Sequence, residues 1–547
     1  MPRIVLFSFA LAFLAPLAIA QQSPPDLILL NGKLFTSDSA HPYVEALAIR
    51  ADRITAVGTS EKIVTLAGPQ TKLIDLKGRV VIPGINDAHY HLVLAPRNFR
   101  LQFRGQDPTW QEVKDQLAAA VAGAPKGTLI LGETLSSVFD DPQATRASLD
   151  RFAPDHPVVL QGLTGHYYIL NSGALRMLGV KDDEPDPVGG RFVRSAENGK
   201  LTGMALEYAA FRIHRRMNEL ATEQEALQQT REFLKAAARL GITTVQNMSI
   251  HVAPERLVAL YEKAPTPIRM RVMRFLLTDQ KGRFTQEGRD LPARPSPLIT
   301  VSGTKWILDG TPVELSSATR KPFSDRPDSS GWMDFSEKDM EAMLHESLER
   351  NDQLVVHIIG DRTMETFLNA MDATGGKNVW SKRRVRIEHG EGLMPDLIPR
   401  AKELGVVVVQ NPTHLVFREL LVTRWGLERM DQMQPVRSLL EAGVPLALGS
   451  DGPINPYLNI MLASIDPDRP SEALTREQAV TAYTLTAAYA EFAEEDKGSL
   501  EPGKLADLAV LSQDIFRMPA QDLPKTESVL TIVGGKIVYD AKIVSVH

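Results

Sequence analysis

The chain has 547 residues, is 43% hydrophobic and 23% charged, and carries a formal net charge of -6. That composition is ordinary for a soluble globular protein, and the length asks for one large domain with appended pieces. Charge of both signs is interspersed without a long basic run, which excludes a nucleic-acid binder. The absence of cysteine excludes disulfides and thiolate metal ligands.

Residues 1–20 read as a signal peptide. Arg3 precedes an apolar stretch ending in Ala18-Ile19-Ala20, an A-x-A cleavage site ahead of Gln21. The stretch falls short of the 18 or more residues of a spanning helix, and Pro16 interrupts it. No stable membrane span is expected after cleavage, and the mature protein is expected to be periplasmic or secreted. An uncleaved anchor is the alternative.

Residues 21–82 read as strands. In "DLILLNGKLFTSD" two apolar runs flank Asn31-Gly32, which predicts a hairpin. Residues 500–547 behave alike, with "VLTIVGGKIVYD" turning at Gly534-Gly535. These two β-rich ends predict a small β-sandwich built from both termini. Residues 83–95 hold the first strand of a barrel and its loop. Residues 240–499 then alternate short apolar runs with helical patterns. The runs are "GITTVQNM", "IRMRVMRFLL", "LITVSGTKWILDG", "QLVVHIIG", "RVRIEHG", "GVVVVQNP" and "VPLALGSDG". With the strand ending at His89 they make eight, the count of a (β/α)₈ TIM barrel. Helices fit between them, for example "SEKDMEAMLHESLERN" with Ser336 as its N-cap. Residues 96–239 are too long for a loop and are read as an inserted cap segment after the first barrel strand. Within it, "FRIHRRMNELATEQEALQQTREFLKAAARL" is either cap helix or a homodimer interface.

The ends of the barrel strands carry the chemistry. The chain has 12 histidines. His89 and His91 stand one residue apart, so on a strand they point to the same side. Alone, such a pair reads more readily as two structural histidines. Yet His357 closes "QLVVHIIG", His389 closes "RVRIEH", Asp451 closes "VPLALGSD", and Lys305 lies in "VSGTKWILDG". Barrel enzymes keep catalytic groups at these C-terminal strand ends. Four histidines and an aspartate form an N/O donor set suited to Zn²⁺ or a similar divalent ion. His41, His156, His214, His345 and His547 read as loop or polar-face residues, and His251 as at most a pocket-rim residue. Asp361 and Arg362 read as a pair that orients loops, and Asp87 as a group orienting a ligand histidine.

Taken together, "VIPGINDAHYHL", "TGH", "GGRFVR", "GKLTGMALE", "HIIGDRTM", "RVRIEHGEGL", "QNPTHL", "LALGSDGPINP" and "KGSLEPGKLADLAVL" resemble the amidohydrolase superfamily of metal-dependent hydrolases. The resemblance is to amidohydrolase family 3, the group that includes N-substituted formamide deformylases. It runs nearly end to end along the mature chain and implies roles position by position. His89, His91 and Asp451 would bind one metal ion, and His357 and His389 a second. Lys305 would bridge them as a carboxylated lysine; a plain salt bridge, to Asp309 for instance, is its alternative and would leave one ion. Asp451 would be the catalytic proton shuttle for metal-activated hydroxide attacking a carbonyl. His166 and His414 would bind the substrate or its oxyanion; hydrogen-bonded structural histidines are the alternative.

Thr164 stands where the family commonly has Asp, and Gln246-Asn247 where it has His-Asp, both at expected substrate contacts. The family's substrates therefore do not carry over. The expected activity is exported hydrolysis of a non-peptide C–N bond in a small amide, N-acyl or N-formyl compound. The same site acting on an ester, carbamate or phosphoester stays open. So does a non-catalytic periplasmic solute- or metal-binding protein.

Overall fold

Eight short apolar runs line up as parallel strands in chain order. They are Ile85–Tyr90, Ile242–Met248, Arg269–Phe275, Ile299–Ile307, Leu354–Ile358, Arg386–His389, Val407–Gln410 and Leu446–Leu448. The computed structural model describes residues 23–265, 267–466 and 469–544. The expected signal peptide, 1–20, and His547 lie outside them. Among the described residues no helix is long and apolar enough to cross a membrane.

The strands are buried on both faces, as in parallel sheets covered by helices. Outward side chains such as Val245, Val272 and Val408 pack with Leu234, Leu344 and Leu368 of the surrounding helices. The predicted helix after Ser336 spans Glu337–Arg350, with a capping box between Ser336 and Asp339. The barrel closes where the Asp451 N–H donates to the His89 carbonyl at 2.9 Å. Inside, the lower barrel is polar but satisfied. Arg271 donates to Gln246 at 3.1 Å and to Gln353 at 2.7 Å, and Arg386 donates to Glu388 at 2.8 Å. Gln246 thus belongs to this buried network, and Asn247 accepts from the Leu92 N–H at 2.7 Å. Neither lines the cavity that holds His89, His91 and Asp451, so the expectation that they contact substrate is corrected.

Both chain ends meet in two sheets. One holds Arg53–Gly58, Ala46–Arg50, Leu27–Leu30 and Lys72–Asp75; the other holds Lys536–Asp540, Ser528–Val533, Leu508–Leu511, Val80–Pro83, Lys33–Phe35 and Tyr43–Val44. Leu29, Leu47, Ile74, Val81, Leu508 and Leu530 share one core between them. The Gly534-Gly535 turn makes a hairpin, with Val533 opposite Lys536. Asn31-Gly32 does not. Leu27–Leu30 pairs with Ala46–Arg50 and Lys72–Asp75, whereas Lys33–Phe35 pairs with Val80–Pro83 and Tyr43–Val44. Asn31, at φ 55, carries the chain from one sheet to the other.

The segment after the first barrel strand has its own six-stranded sheet, ordered Gly190–Arg194, Leu201–Glu207, Tyr167–Leu170, Val158–Gly162, Ile130–Thr134, Phe99–Arg100. Alternate residues face opposite layers, Val158 and Leu160 toward one core and Val159 toward another. The sheet ends at Glu207, short of the predicted limit at Arg239. Helix Glu223–Arg239 buries Leu234, Ala237 and Ala238 in the barrel core, because its apolar face runs along the strands beside it. Tyr208–Glu219 joins the two, with Ile213 against the cap sheet and Phe211 against the barrel.

Gly84 is the switch between domains, sitting between sandwich strand Val80–Pro83 and barrel strand Ile85–Tyr90. A Cβ there would lie 2.1 Å from Thr243 Oγ1 and 2.3 Å from its Cγ2. Gly84→Ala is expected to cost about 1–3 kcal/mol by overpacking. Urea unfolding checks this; an unchanged midpoint would show that the junction has slack.

Candidate metal centre

The strand ends deliver five groups to one point. His89 and His91 leave the first strand with Nε2 atoms 3.1 Å apart. Each ring's other nitrogen is committed: His89 Nδ1 donates to Glu388 Oε2 at 2.6 Å, and His91 Nδ1 donates to the Met248 carbonyl at 3.2 Å. A carboxylate and a carbonyl only accept, so these partners place the ring hydrogens on Nδ1. In the neutral rings both Nε2 lone pairs therefore face each other. Asp451 Oδ1 joins them at 3.4 Å from His89 Nε2 and 3.5 Å from His91 Nε2. Three acceptors so placed call for a positive charge among them: burial opposes a proton on His89, but Asp451 and Glu388 raise its pKa above the ordinary value, and a metal ion would take that proton's place.

His389 completes that set; His89, His389 and Asp451 offer ligand atoms within 4.8 Å of one another. His389 Nδ1 is buried without a hydrogen bond, 4.0 Å from Asp451 Oδ2. His357 lies beside it, ring centroids 4.4 Å apart, and its Nε2 is also buried without a partner. Unpaired buried nitrogens are uncommon and ask for an explanation. Burial pushes His91 down to about 4, and holds His357 and His389 well below the usual histidine range. Neutral imidazoles are the form that ligates metal. The residues present therefore fit a divalent ion. A second group, His389, Glu391 and His414, meets the same distance criterion; Glu391 has no place in the sequence reading.

Two of these residues hold uncommon backbone conformations, His389 at φ 67 and Asp451 at φ 49. Such strain in non-glycine residues concentrates at functional sites. Asp87 helps to hold Asp451 in place. It accepts from Ser450 N–H at 2.8 Å and from the hydroxyl of Ser450, and from the His89 N–H at 3.3 Å. It thus pins the loop before Asp451 to the first strand. The imidazole-orienting role expected of Asp87 belongs to Glu388, which Arg386 anchors. Burial opposes the charge on Glu388, but Arg386 and the His89 hydrogen bond hold its carboxyl far below the usual range. Glu388→Gln is expected to weaken metal binding about 10–100-fold, as loss of such outer contacts does. Competition with a chelator reads this, and unchanged affinity would remove Glu388 from the site.

Lys305 is 1% exposed and lines the same cavity; burial pushes its ammonium down to about 8. Its alternative partner is occupied elsewhere. Asp309 accepts from the N–H groups of Ala318, Ile359 and Gly360 and from Thr363 Oγ1. Asp361 and Arg362 do not pair with each other: Asp361 accepts from the Arg320 N–H, and Arg362 donates to the Gly331 carbonyl.

These groups floor a cavity of about 530 Å³. His166 reaches it from the cap, with Nδ1 donating to Glu207 Oε2 at 2.6 Å. His414 reaches it from the seventh strand's end, donating to Glu391 at 2.8 Å, with Nε2 3.5 Å from Asp451 Oδ2. His214 and His251 also line it. His214 is buried, not on a polar face: Tyr168 OH donates to its Nδ1 at 2.6 Å and its Nε2 donates to the Gly165 carbonyl at 2.7 Å. His156 is likewise buried, against the Thr128 carbonyl. Phe211, Phe275, Val313, Phe417, Leu421 and Trp425 form much of the remaining wall.

The family model described as "Amidohydrolase family" matches residues 72–539. The chain belongs to the amidohydrolase family. This amidohydrolase is 30% identical over 543 residues to Protein LONG AFTER FAR-RED 3 of Arabidopsis thaliana, covering 94% of this chain and 91% of the relative. It is 26% identical over 540 residues to an N-substituted formamide deformylase of Arthrobacter pascens, covering 94% and 98%. Its fold matches the crystal structure of an uncharacterized metal-dependent hydrolase from Pyrococcus horikoshii, with a TM-score of 0.69 at 22% identity, over 90% of this chain and 99% of that one. The (β/α)₈ barrel expected from the strand pattern is therefore the fold of the molecule, and the amidohydrolase is a hydrolase.

Proposed function

We propose that this amidohydrolase is exported and hydrolyses a non-peptide C–N bond in a small uncharged amide, N-acyl or N-formyl compound. The observation that carries the reading is Asp451. Its carboxylate sits among His89, His91, His389 and His414 and also lines the cavity. A carboxylate so placed can take a proton from water bound in the cavity as well as ligate an ion, which a site built only to hold metal or solute does not require of it. Export rests on the signal-like segment at 1–20.

His89, His91, His357, His389 and Asp451 would hold the metal, Zn²⁺ suiting the donors, with Lys305 a further ligand once carboxylated. When bound, a divalent ion supplies Lewis acidity and lowers the pKa of water from 15.7 to about 7. The protein's own groups do the rest. Burial would raise the Asp451 carboxyl, but His89 and the His414 hydrogen bond hold it well below the usual range. It is therefore ionised at neutral pH, ready to accept a proton from the attacking water and pass it to the leaving nitrogen. His414 flanks the cavity to hold the substrate carbonyl and its developing charge, and His166, whose Nδ1 hydrogen goes to Glu207, offers Nε2 as an acceptor for the substrate N–H.

The wall defines what else fits. Among the described residues no arginine lines the cavity, and no lysine besides Lys305. The carboxylates Asp451 and Glu391 are both engaged by His414. A charged group on the far part of a substrate would be buried against phenylalanine and tryptophan unpaired, which costs several kcal/mol.

The test is hydrolysis of matched compounds after adding Zn²⁺. N-formyl-2-phenylethylamine is expected to be turned over with kcat/KM at least about 100-fold above 4-(2-formamidoethyl)benzoate, which adds only a carboxylate at the far end of the ring. Equal turnover of the two would contradict the uncharged-substrate reading. Preference for a phenylethyl ester or a phosphoester would replace the C–N assignment, and binding without turnover would leave a binding protein.

A further inference from the structure

Glu207 has no role in the reaction as drawn so far, yet the fold goes to some length to place it. It ends cap strand Leu201–Glu207 and caps helix Tyr208–Glu219 at φ 50, ψ -124. That combination lies outside the regions open to residues with a side chain. The tight corner needs room around it. A Cβ on Gly190 would lie 2.3 Å from Ala209 N, and one on Gly310 would lie 2.0 Å from Glu207 Oε1. The side chain is completely buried; Oε2 accepts the His166 Nδ1 hydrogen at 2.6 Å, and Oε1 has no hydrogen-bond partner. A buried carboxylate kept only for stability could be replaced by a packed apolar side chain without loss. Backbone strain at such a residue points to function instead.

The loop carrying His166 is already fixed on its other sides. The Thr164 hydroxyl bonds Glu314, and the Gly165 carbonyl accepts from His214. What remains free is rotation of the His166 ring, which stands between His357, 5.0 Å away by ring centroids, and Phe211 at 5.4 Å. Glu207 removes that freedom. With Nδ1 committed to the carboxylate, Nε2 is the nitrogen left for the cavity.

We propose that Glu207 is a positioning residue of the hydrolase site, holding His166 in one tautomer and one orientation so that the Nε2 lone pair faces the cavity and accepts the N–H of the substrate amide. This rests on the hydrolase reading above. The corner between cap sheet and helix is then the device by which the inserted segment contributes to the reaction, and Glu207 acts only through His166.

The experiment compares E207M, E207Q, H166A and the double variant E207M/H166A in the full-length mature protein loaded with Zn²⁺. Met conserves volume and removes the acceptor; Gln retains a carbonyl that accepts the Nδ1 hydrogen. E207M is expected to lower kcat about 100-fold, the scale on which misplacing a group that orients the substrate lowers the rate. KM and bound zinc should change little, and E207Q should recover most of the loss. The double variant should be no slower than H166A, because the two residues act as a unit. Loss of kcat that multiplies across the two sites, or E207M with undiminished kcat, would overturn the proposal. Nitrogen NMR of labelled histidine gives an answer independent of turnover. A single Nδ1–H tautomer for His166 in the parent and E207Q, lost in E207M, supports positioning even if the panel of amides fails and the hydrolase reading with it. The same tautomer in E207M would overturn positioning whatever the activity.

Discussion

Asp451→Asn is expected to lower kcat by about 10²–10⁴-fold, the range attributed to a positioned general base. The substitution preserves shape, and the backbone that places residue 451 is held independently, by its N–H on the His89 carbonyl at 2.9 Å and by Asp87 on Ser450. The amide cannot take the proton that the carboxylate takes. Much of the metal should stay, since histidine ligands remain on three other strand ends. Steady-state kinetics beside elemental analysis separates the two effects. A variant that kept a tenth or more of the parent kcat would show that another group moves the proton.

The second large effect is expected at His389. It belongs to both groups of potential ligands, with His89 and Asp451 on one side and Glu391 and His414 on the other. Its ring lies 4.8 Å from that of His89, 4.4 Å from His357 and 5.2 Å from His414, centroid to centroid. His389→Ala therefore removes a donor from both of these groups. Affinity for Zn²⁺ should fall by more than the roughly 10–100-fold expected at Glu388, which touches the site only through His89. Activity should fall with it and return only at high metal concentration. Full occupancy at stoichiometric Zn²⁺ would mean that His389 is not a ligand.

How far the sequence foretold this site depends on which signals are local. His89, His91, His357 and Asp451 were legible because each ends an apolar run, and a polar group there has few reasons to exist besides chemistry. Glu388 and Glu391 carried no such mark. The chain has 67 acidic residues, and a carboxylate one or two positions from His389 has no spacing that sets it apart. In retrospect the alternation of Arg386 and Glu388 with apolar residues was a clue, since the interior of a barrel strand is a costly place for charge. Glu207 was invisible because its meaning lies in a backbone angle and a partner 41 positions away in sequence. His214 was misplaced because its neighbours Arg212, Arg215 and Arg216 make the helix look solvated. They find partners across the cap and barrel, such as Glu184 and Glu287. Asn31-Gly32 shows the same limit in the fold. The dipeptide turned the chain, but which strands paired was decided by the two-sheet core and not by the turn.

The central claim is that the converging acceptors of His89, His91 and Asp451 hold a catalytic metal. The direct measurement is metal content of the purified chain after adding Zn²⁺ and removing the excess, with hydrolysis of N-formyl-2-phenylethylamine followed on the same sample. At least one ion per chain, with activity lost on chelation and restored by metal, is the predicted result. Two ions would bring Lys305 into the site. A folded chain that keeps no metal would contradict the account, and the facing nitrogens of His89 and His91 would then need a proton between them instead.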